Sequence, residues 1–311
     1  MKAFKWEDIV PKKYNICYSA CDRHAAINPN HRAIVYIQDN DDTVITLTYG
    51  QLKDQSNKLA NALLHKGNIQ KGDRVGILLS QRPETAVTHM AVYRSGAVAV
   101  PLFLLFGPEA LSYRLGASGA KVLVTDRVGL EKILQIRSSL PELKTIIIVN
   151  EKGEERLPLP EGCLSFNEIL ENSKPPSTIL EDTDADDPAL IIFTSGTTGD
   201  PKGALHAHRV LLGHLPGIEF PHNFFPNFGR PPQNLMFYTP ADWAWIGGLI
   251  DVLLPSLHYG VPVLAHRAKK FDPLRTTEII KKHNVTNAFM PPTALKLMRQ
   301  VIIVTFYFLQ H

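Results

Sequence analysis

Between Phe193 and Ala204 the chain reads Thr194-Ser195-Gly196-Thr197-Thr198-Gly199-Asp200-Pro201-Lys202-Gly203. Glycines let a main chain approach a ligand with no Cβ in the way, hydroxyls and amides donate hydrogen bonds, and a lysine adds a point charge. Concentrated in one short loop, these groups suit a polyanion, above all a triphosphate. Phosphate binding is therefore assigned to Thr194, Ser195, Gly196, Thr197, Thr198, Gly199 and Lys202. The apolar run Ala189–Phe193 before the loop reads as a buried strand, and Ala204–Leu212 after it, with apolar residues three and four apart, reads as a helix.

Two better-known chemistries do not fit these residues. A Walker A loop requires G-x-x-x-x-G-K-[ST], whereas Pro201 stands at the second glycine after Gly196 and Lys202 is followed by Gly203, with no hydroxyl for Mg²⁺. A G-x-S-x-G elbow around Ser195 fails because Phe193 occupies its first glycine position.

A second stretch, Pro240-Ala241-Asp242-Trp243-Ala244-Trp245-Ile246-Gly247-Gly248, sets two tryptophans beside two glycines. Such a pattern serves a core or the wall of an apolar ligand pocket. Further on, Thr293 in Pro291-Pro292-Thr293-Ala294 reads as a helix N-cap. No metal site is assigned. His206 and His208 are two apart and do not share a helix face, and the acidic run Glu181–Asp187 reads as a solvated loop. Cys17, Cys21 and Cys163 lack a second ligand pair for zinc and read as reduced thiols.

The decapeptide TSGTTGDPKG resembles the phosphate-binding loop of the adenylate-forming superfamily, which holds acyl-CoA synthetases, luciferases and the adenylation domains of peptide synthetases. Thr46–Leu52 is similar to that family's early LTYxEL motif. Arg94–Pro101 is similar to its GAVxVP passage, where Gly96 reads as ending a helix and Pro101 a strand. Asp242, Trp245 and Ile246 match an Asp-x-x-Trp-Ile stretch of the short- and medium-chain acyl-CoA synthetases, and Asn287–Leu295 is similar to a strand-to-helix PTA turn. The resemblance covers residues from about 14 to 300. It implies an acyl and CoA pocket formed by Asp242, Trp243, Trp245, Ile246, Gly247, Pro292 and Thr293, with ATP, Mg²⁺, CoA and a small carboxylic acid as ligands. It also implies two steps: acyl-adenylate formation with loss of pyrophosphate, then displacement of AMP by the CoA thiol.

The family further implies a Tyr-Gly-x-Thr-Glu stretch, a ribose-binding aspartate and a small C-terminal domain with a catalytic lysine, none of which is found in these 311 residues. No catalytic residue is therefore assigned, and the sequence reads as a truncated copy, inactive alone. Its apolar, β-branched tail 301–311 reads as a buried strand or an aggregation-prone segment. A non-catalytic nucleotide- or partner-binding remnant, or an aryl- or amino-acid-adenylating enzyme, remains the alternative.

The elements needed to position these groups follow from hydropathy. An apolar content of 44% and a charged content of 20% suit a globular protein, and a net charge of +3 with no basic run gives no sign of nucleic acid. No apolar run reaches the roughly 20 residues of a membrane span, and no signal-like segment opens the chain, so a cytoplasmic protein is expected. Short apolar runs at 75–79, 97–102, 121–126 and 145–149 alternate with helical stretches at 83–96, 109–117 and 129–140, the pattern of a parallel sheet covered on both faces. The expected fold is α/β: two doubly wound αβα lobes of an incomplete acyl-CoA synthetase N-terminal domain. The first lobe is placed at 1–175 and the second, partial one at 176–300, with the polar stretch 151–188 as a surface connection between them.

Overall fold

The computed structural model describes residues 9–38, 42–150, 158–174, 177–194, 199–226, 234–267 and 270–309, of which 302–309 are described by backbone alone. A π-helical turn at Tyr18–Asp22 leads into α1 (Arg23–Ile27), followed by the hairpin β1 (Arg32–Ile37) and β2 (Val44–Thr48). Then come α2 (Tyr49–His65), β3 (Arg74–Leu78), α3 (Pro83–Arg94), β4 (Val98–Pro101), α4 (Pro108–Ser118), β5 (Val122–Asp126), α5 (Arg127–Ile136) and β6 (Thr145–Val149). The chain continues through β7 (Cys163–Ser165), α6 (Phe166–Asn172), β8 (Pro188–Thr194), β9 (Lys202–Ala207), α7 (Val210–Glu219) and β10 (Phe237–Tyr238). It ends with α8 (Ile246–Gly248), α9 (Leu254–Tyr259), β11 (Val263–His266), α10 (Pro273–Lys282), β12 (Asn287–Ala288) and α11 (Pro292–Leu309).

Two sheets carry the fold. The larger runs β7-β6-β5-β3-β4-β8-β9 and is parallel except for β9; the smaller runs β12-β10-β11-β1-β2 and is parallel except for β2. Strand β6 shows why the apolar runs are continuous. Ile147 and Val149 enter the core shared with α2, α3 and the smaller sheet, while Ile146 and Ile148 enter a second core under α4 and α5. A third cluster on the far side of the smaller sheet, with Val35, Leu264 and Ile279, is covered by α10. The sheets thus share an inner helical layer and each has its own outer one.

Local signals explain several starts and stops. Thr48 and Gln51 form a reciprocal capping box: the Gln51 N–H donates to Thr48 Oγ1 (3.3 Å) and the Thr48 N–H to Gln51 Oε1 (2.9 Å). The LTYxEL-like motif is therefore a helix start. Gly96 leaves α3 at φ +71°, and Pro101 closes β4, in keeping with the structural reading of that motif. Several carboxylates of the acidic run before β8 are paired with cations. Lys13 contacts Asp182 and Asp184 (both 3.0 Å), Lys71 contacts Asp187 (2.8 Å) and Arg209 contacts Asp186 (2.8 Å).

The structure departs from the sequence reading at five places. The segment after the glycine-rich loop is not a helix but β9, which pairs antiparallel with β8 from Thr194↔Lys202 to Pro188↔Ala207; α7 begins only at Val210. As an edge strand with most residues exposed, β9 has no buried face to impose an alternating pattern. The supposed surface connection 151–188 contains β7 and α6, the latter capped by Ser165. A boundary at residue 175 matches neither sheet, since β1 and β2 join the smaller sheet beside β11, and β8 and β9 extend the larger one. Thr293 is the second residue of α11 rather than its cap. Finally, the tail continues α11 to Leu309 instead of forming a strand. A helix satisfies its backbone internally whereas a strand needs a neighbour, and β-branched residues cost a helix only about 0.5 kcal/mol each.

Candidate functional site

The carboxyl ends of parallel strands from both sheets converge on a cavity of about 710 Å³. Ser80 and Gln81 reach it from the end of β3, Phe103–Leu105 from β4, Pro240–Asp242 from β10, His266 and Arg267 from β11, and Phe289 and Pro291 from β12. In open α/β sheets ligands bind outside these ends, so backbone direction alone marks this crevice. Two polar links cross it. Gln81 Nε2 donates to the Thr239 carbonyl (3.2 Å) and to that of Ala241, and Arg267 Nη1 lies 3.7 Å from Asp126 Oδ2 at the end of β5.

The wall is aromatic. Trp245, 42% exposed, meets Phe103 at 5.6 Å and Phe106 at 6.0 Å between ring centroids. The turn carrying these phenylalanines is fixed from behind by Lys132, whose Nζ donates to the Leu104 (2.6 Å) and Phe106 (3.1 Å) carbonyls. Gly247 packs under the Phe289 ring, where a Cβ would come within 2.8 Å of Cε1. Asp242 is the half-buried acid of the site. Its carboxylate accepts a hydrogen bond from the Ala244 N–H (2.8 Å), yet burial outweighs that bond and the nearby Arg267 charge and pushes its pKa from 3.8 to about 6.

Of the residues singled out in this stretch, Asp242, Trp245 and Gly247 line the cavity. Trp243 does not. It is 1% exposed within the main core, its indole Nε1 has no partner, and a turn closed by the Trp245 N–H donating to the Asp242 carbonyl (3.1 Å) lies between it and Trp245. Ile246 packs on the same core, and exposed Pro292 and Thr293 open α11 outside the cavity, where Pro291 takes the lining position.

The glycine-rich segment connects β8 to β9 at this same carboxyl edge. Ser195, Gly196, Thr197 and Thr198 lie outside the described residues. Thr194 and Lys202 face each other across the hairpin, both exposed, with Thr194 Oγ1 3.5 Å from the Lys202 carbonyl. Gly199 adopts φ +103° with nothing within 4 Å of where a Cβ would stand, so its glycine is required by the backbone angle and not by crowding. The residues that flank this segment, Thr194 and Lys202, belong to paired strands and not to a helix N-terminus.

A family model described as AMP-binding enzyme matches residues 21–307. The chain belongs to this family. Among similar AMP-binding enzymes, acetyl-coenzyme A synthetase 2 of Candida glabrata is 31% identical over 302 residues, covering 93% of this chain and 43% of the relative. Acetyl-coenzyme A synthetase of Streptomyces coelicolor is 30% identical, covering 91% of this chain and 44% of its own. The solved acyl-CoA synthetase of Brucella canis superposes with a TM-score of 0.80 at 28% identity, over 96% of this chain and 52% of that one. The chain thus spans less than half the length of the curated relatives it matches. Among its described residues no helix is long and apolar enough to cross a membrane.

The sequence reading missed Phe103, Leu105, Phe289, Gln81 and Arg267. Each follows a strand at its carboxyl end, so once the strands were marked, the residues just beyond them were the available signal.

Proposed function

We propose that these residues bind the nucleotide and the acid of an ATP-dependent acid–CoA ligase acting on a short- or medium-chain carboxylic acid. Thr194, Ser195, Gly196, Thr197, Thr198, Gly199 and Lys202 would hold the β- and γ-phosphates, with Mg²⁺ arriving on the nucleotide. The cavity of Asp242, Trp245 and Gly247 would take the acyl chain and the thiol arm of CoA. A carboxylate oxygen attacks the α-phosphorus as the bond to pyrophosphate breaks; the CoA sulfur then attacks the acyl carbon, and AMP leaves with the electron pair of the broken bond. Protein groups contribute chiefly by holding the reactants in place and offsetting charge. The observation that carries this reading is the meeting of an apolar crevice and a hairpin bearing the exposed Lys202 at one carboxyl edge.

We further propose that these 311 residues alone bind nucleotide without completing turnover. The test incubates the purified chain with ATP, Mg²⁺, CoA and a panel of acids, measuring ATP affinity alongside release of AMP and acyl-CoA. ATP binding that weakens in Lys202→Ala, without AMP release, is expected. Release of AMP overturns the inactivity, and ATP affinity equal in parent and Lys202→Ala removes the hairpin from the site.

A further inference from the structure

The aromatic wall of the cavity does not stop at its rim. Phe106, edge-on to Trp245, carries on its other side the guanidinium of Arg114, with Cζ 4.1 Å from the ring centroid. The same guanidinium lies 5.9 Å from the ring of Phe193, the residue immediately before Thr194. Arg114 sits on α4, is 8% exposed, and donates from Nη1 to the Ala110 carbonyl one turn back (2.9 Å), while its Nε has no partner. None of the described carboxylates forms an ion pair with it. Its neighbours on α4, Tyr113 and Ala117, line a small cavity together with Phe193, Pro201 and Lys202 of the hairpin, and the Tyr113 ring meets that of Phe193 at 6.4 Å.

A buried cation without an acid is an unfavourable arrangement unless something else offsets it. Two ring faces do so in part, because the negative face of an aromatic ring attracts a guanidinium. What remains is positive charge with no acid partner among the described residues, one ring away from the hairpin, where it favours any anion held there.

We propose that Arg114 is a positioning residue for the anion at the β8–β9 hairpin. Its charge favours phosphate beside Thr194 and Lys202, and its stacking between Phe106 and Phe193 fixes the root of the hairpin against the Trp245 wall. The proposal rests on the reading of the hairpin as a phosphate holder.

The test titrates the 311-residue chain calorimetrically with inorganic triphosphate and, separately, with adenosine, at low and high sodium chloride. Arg114→Met keeps an apolar stem of similar length and removes the charge. It should raise the triphosphate Kd by about tenfold at low salt while leaving the adenosine Kd within about twofold, and Arg114→Lys should recover most of the loss. Triphosphate affinity within about twofold of the parent in Arg114→Met, equal losses for triphosphate and adenosine, or no recovery in Arg114→Lys overturns the proposal. Should Arg114→Met not fold, Lys202→Ala decides, since it changes an exposed side chain and keeps Arg114. Its residual triphosphate affinity must still fall with salt, and a salt-independent residue takes Arg114 out of the account. A parent chain without triphosphate affinity fails the hairpin reading itself, a result visible before any variant is made.

Discussion

The cavity and the hairpin leave carboxyl ends of strands on one side of the molecule, yet they treat polar groups in opposite ways. In the cavity, desolvation pushes the Asp242 carboxyl up to about 6 despite the hydrogen bond from the Ala244 N–H and the charge of Arg267. At the hairpin, Thr194 and Lys202 stand exposed and the glycine at 199 is free of neighbours. The difference separates two sources of affinity: burial, which is sensitive to shape and proton concentration, and surface charge, which is sensitive to salt.

Substitutions can break or sharpen that contrast. The largest effect belongs to the tryptophan pair. Trp243→Ala should destabilise the fold by about 3–5 kcal/mol in urea unfolding, whereas Trp245→Ala should cost less than about 1 kcal/mol and instead weaken binding of an apolar acid. Equal losses would mean that Trp245 is core as well. Next come two glycines kept for different reasons. At Gly248 a Cβ would stand 2.3 Å from the Asp242 carbonyl oxygen, so Gly248→Ala should cost about 1–3 kcal/mol or more by crowding. Gly199→Ala, in open space at φ +103°, should cost about 1–2 kcal/mol through the backbone alone. A midpoint shift at 199 exceeding that at 248 would reverse the contrast.

Protons provide a third, smaller effect. The folded-state pKa of Asp242 lies above its ordinary value, so ionisation disfavours the folded state. Stability of the parent relative to Asp242→Asn is highest below about pH 4 and declines as pH rises through about 6. Affinity for a carboxylate in the cavity should likewise fall between pH 5 and pH 7.5 in the parent (roughly the range over which the shifted group ionises) and stay flat in Asp242→Asn; parallel profiles would remove Asp242 from the cavity's electrostatics. Smallest is the stability change in Lys202→Ala, within about 0.5 kcal/mol, because the side chain is exposed. A larger drop in melting temperature would assign Lys202 to the fold rather than to a ligand.

Legibility in the sequence followed burial. Strands enclosed on both faces, such as Ile146–Val149, announce themselves by unbroken apolar runs, and capping residues such as Thr48 and Gln51 mark their helix. Where a strand has no covered face, as in β9, spacing carries no information, and Ala204, Leu205 and Ala207 mimic a helix period. Trp243 and Trp245 could not be told apart because the choice between core and wall depends on Phe103 and Phe106, more than a hundred residues earlier. Short elements such as β7 vanished into charged surroundings, and Arg114 gave no sign in a helix that otherwise reads as ordinary.

The smaller sheet is closed by residues from distant parts of the chain: Ile34 lies in register with Val263. During synthesis at about 5–20 residues per second, the β1–β2 ribbon would therefore wait on the order of 10–50 s for its parallel neighbour to be made. Until then Ile34 and Val35 present an unpaired apolar ribbon, which makes nascent-chain aggregation, rather than weakness of the finished core, the point at which production of this protein is most vulnerable.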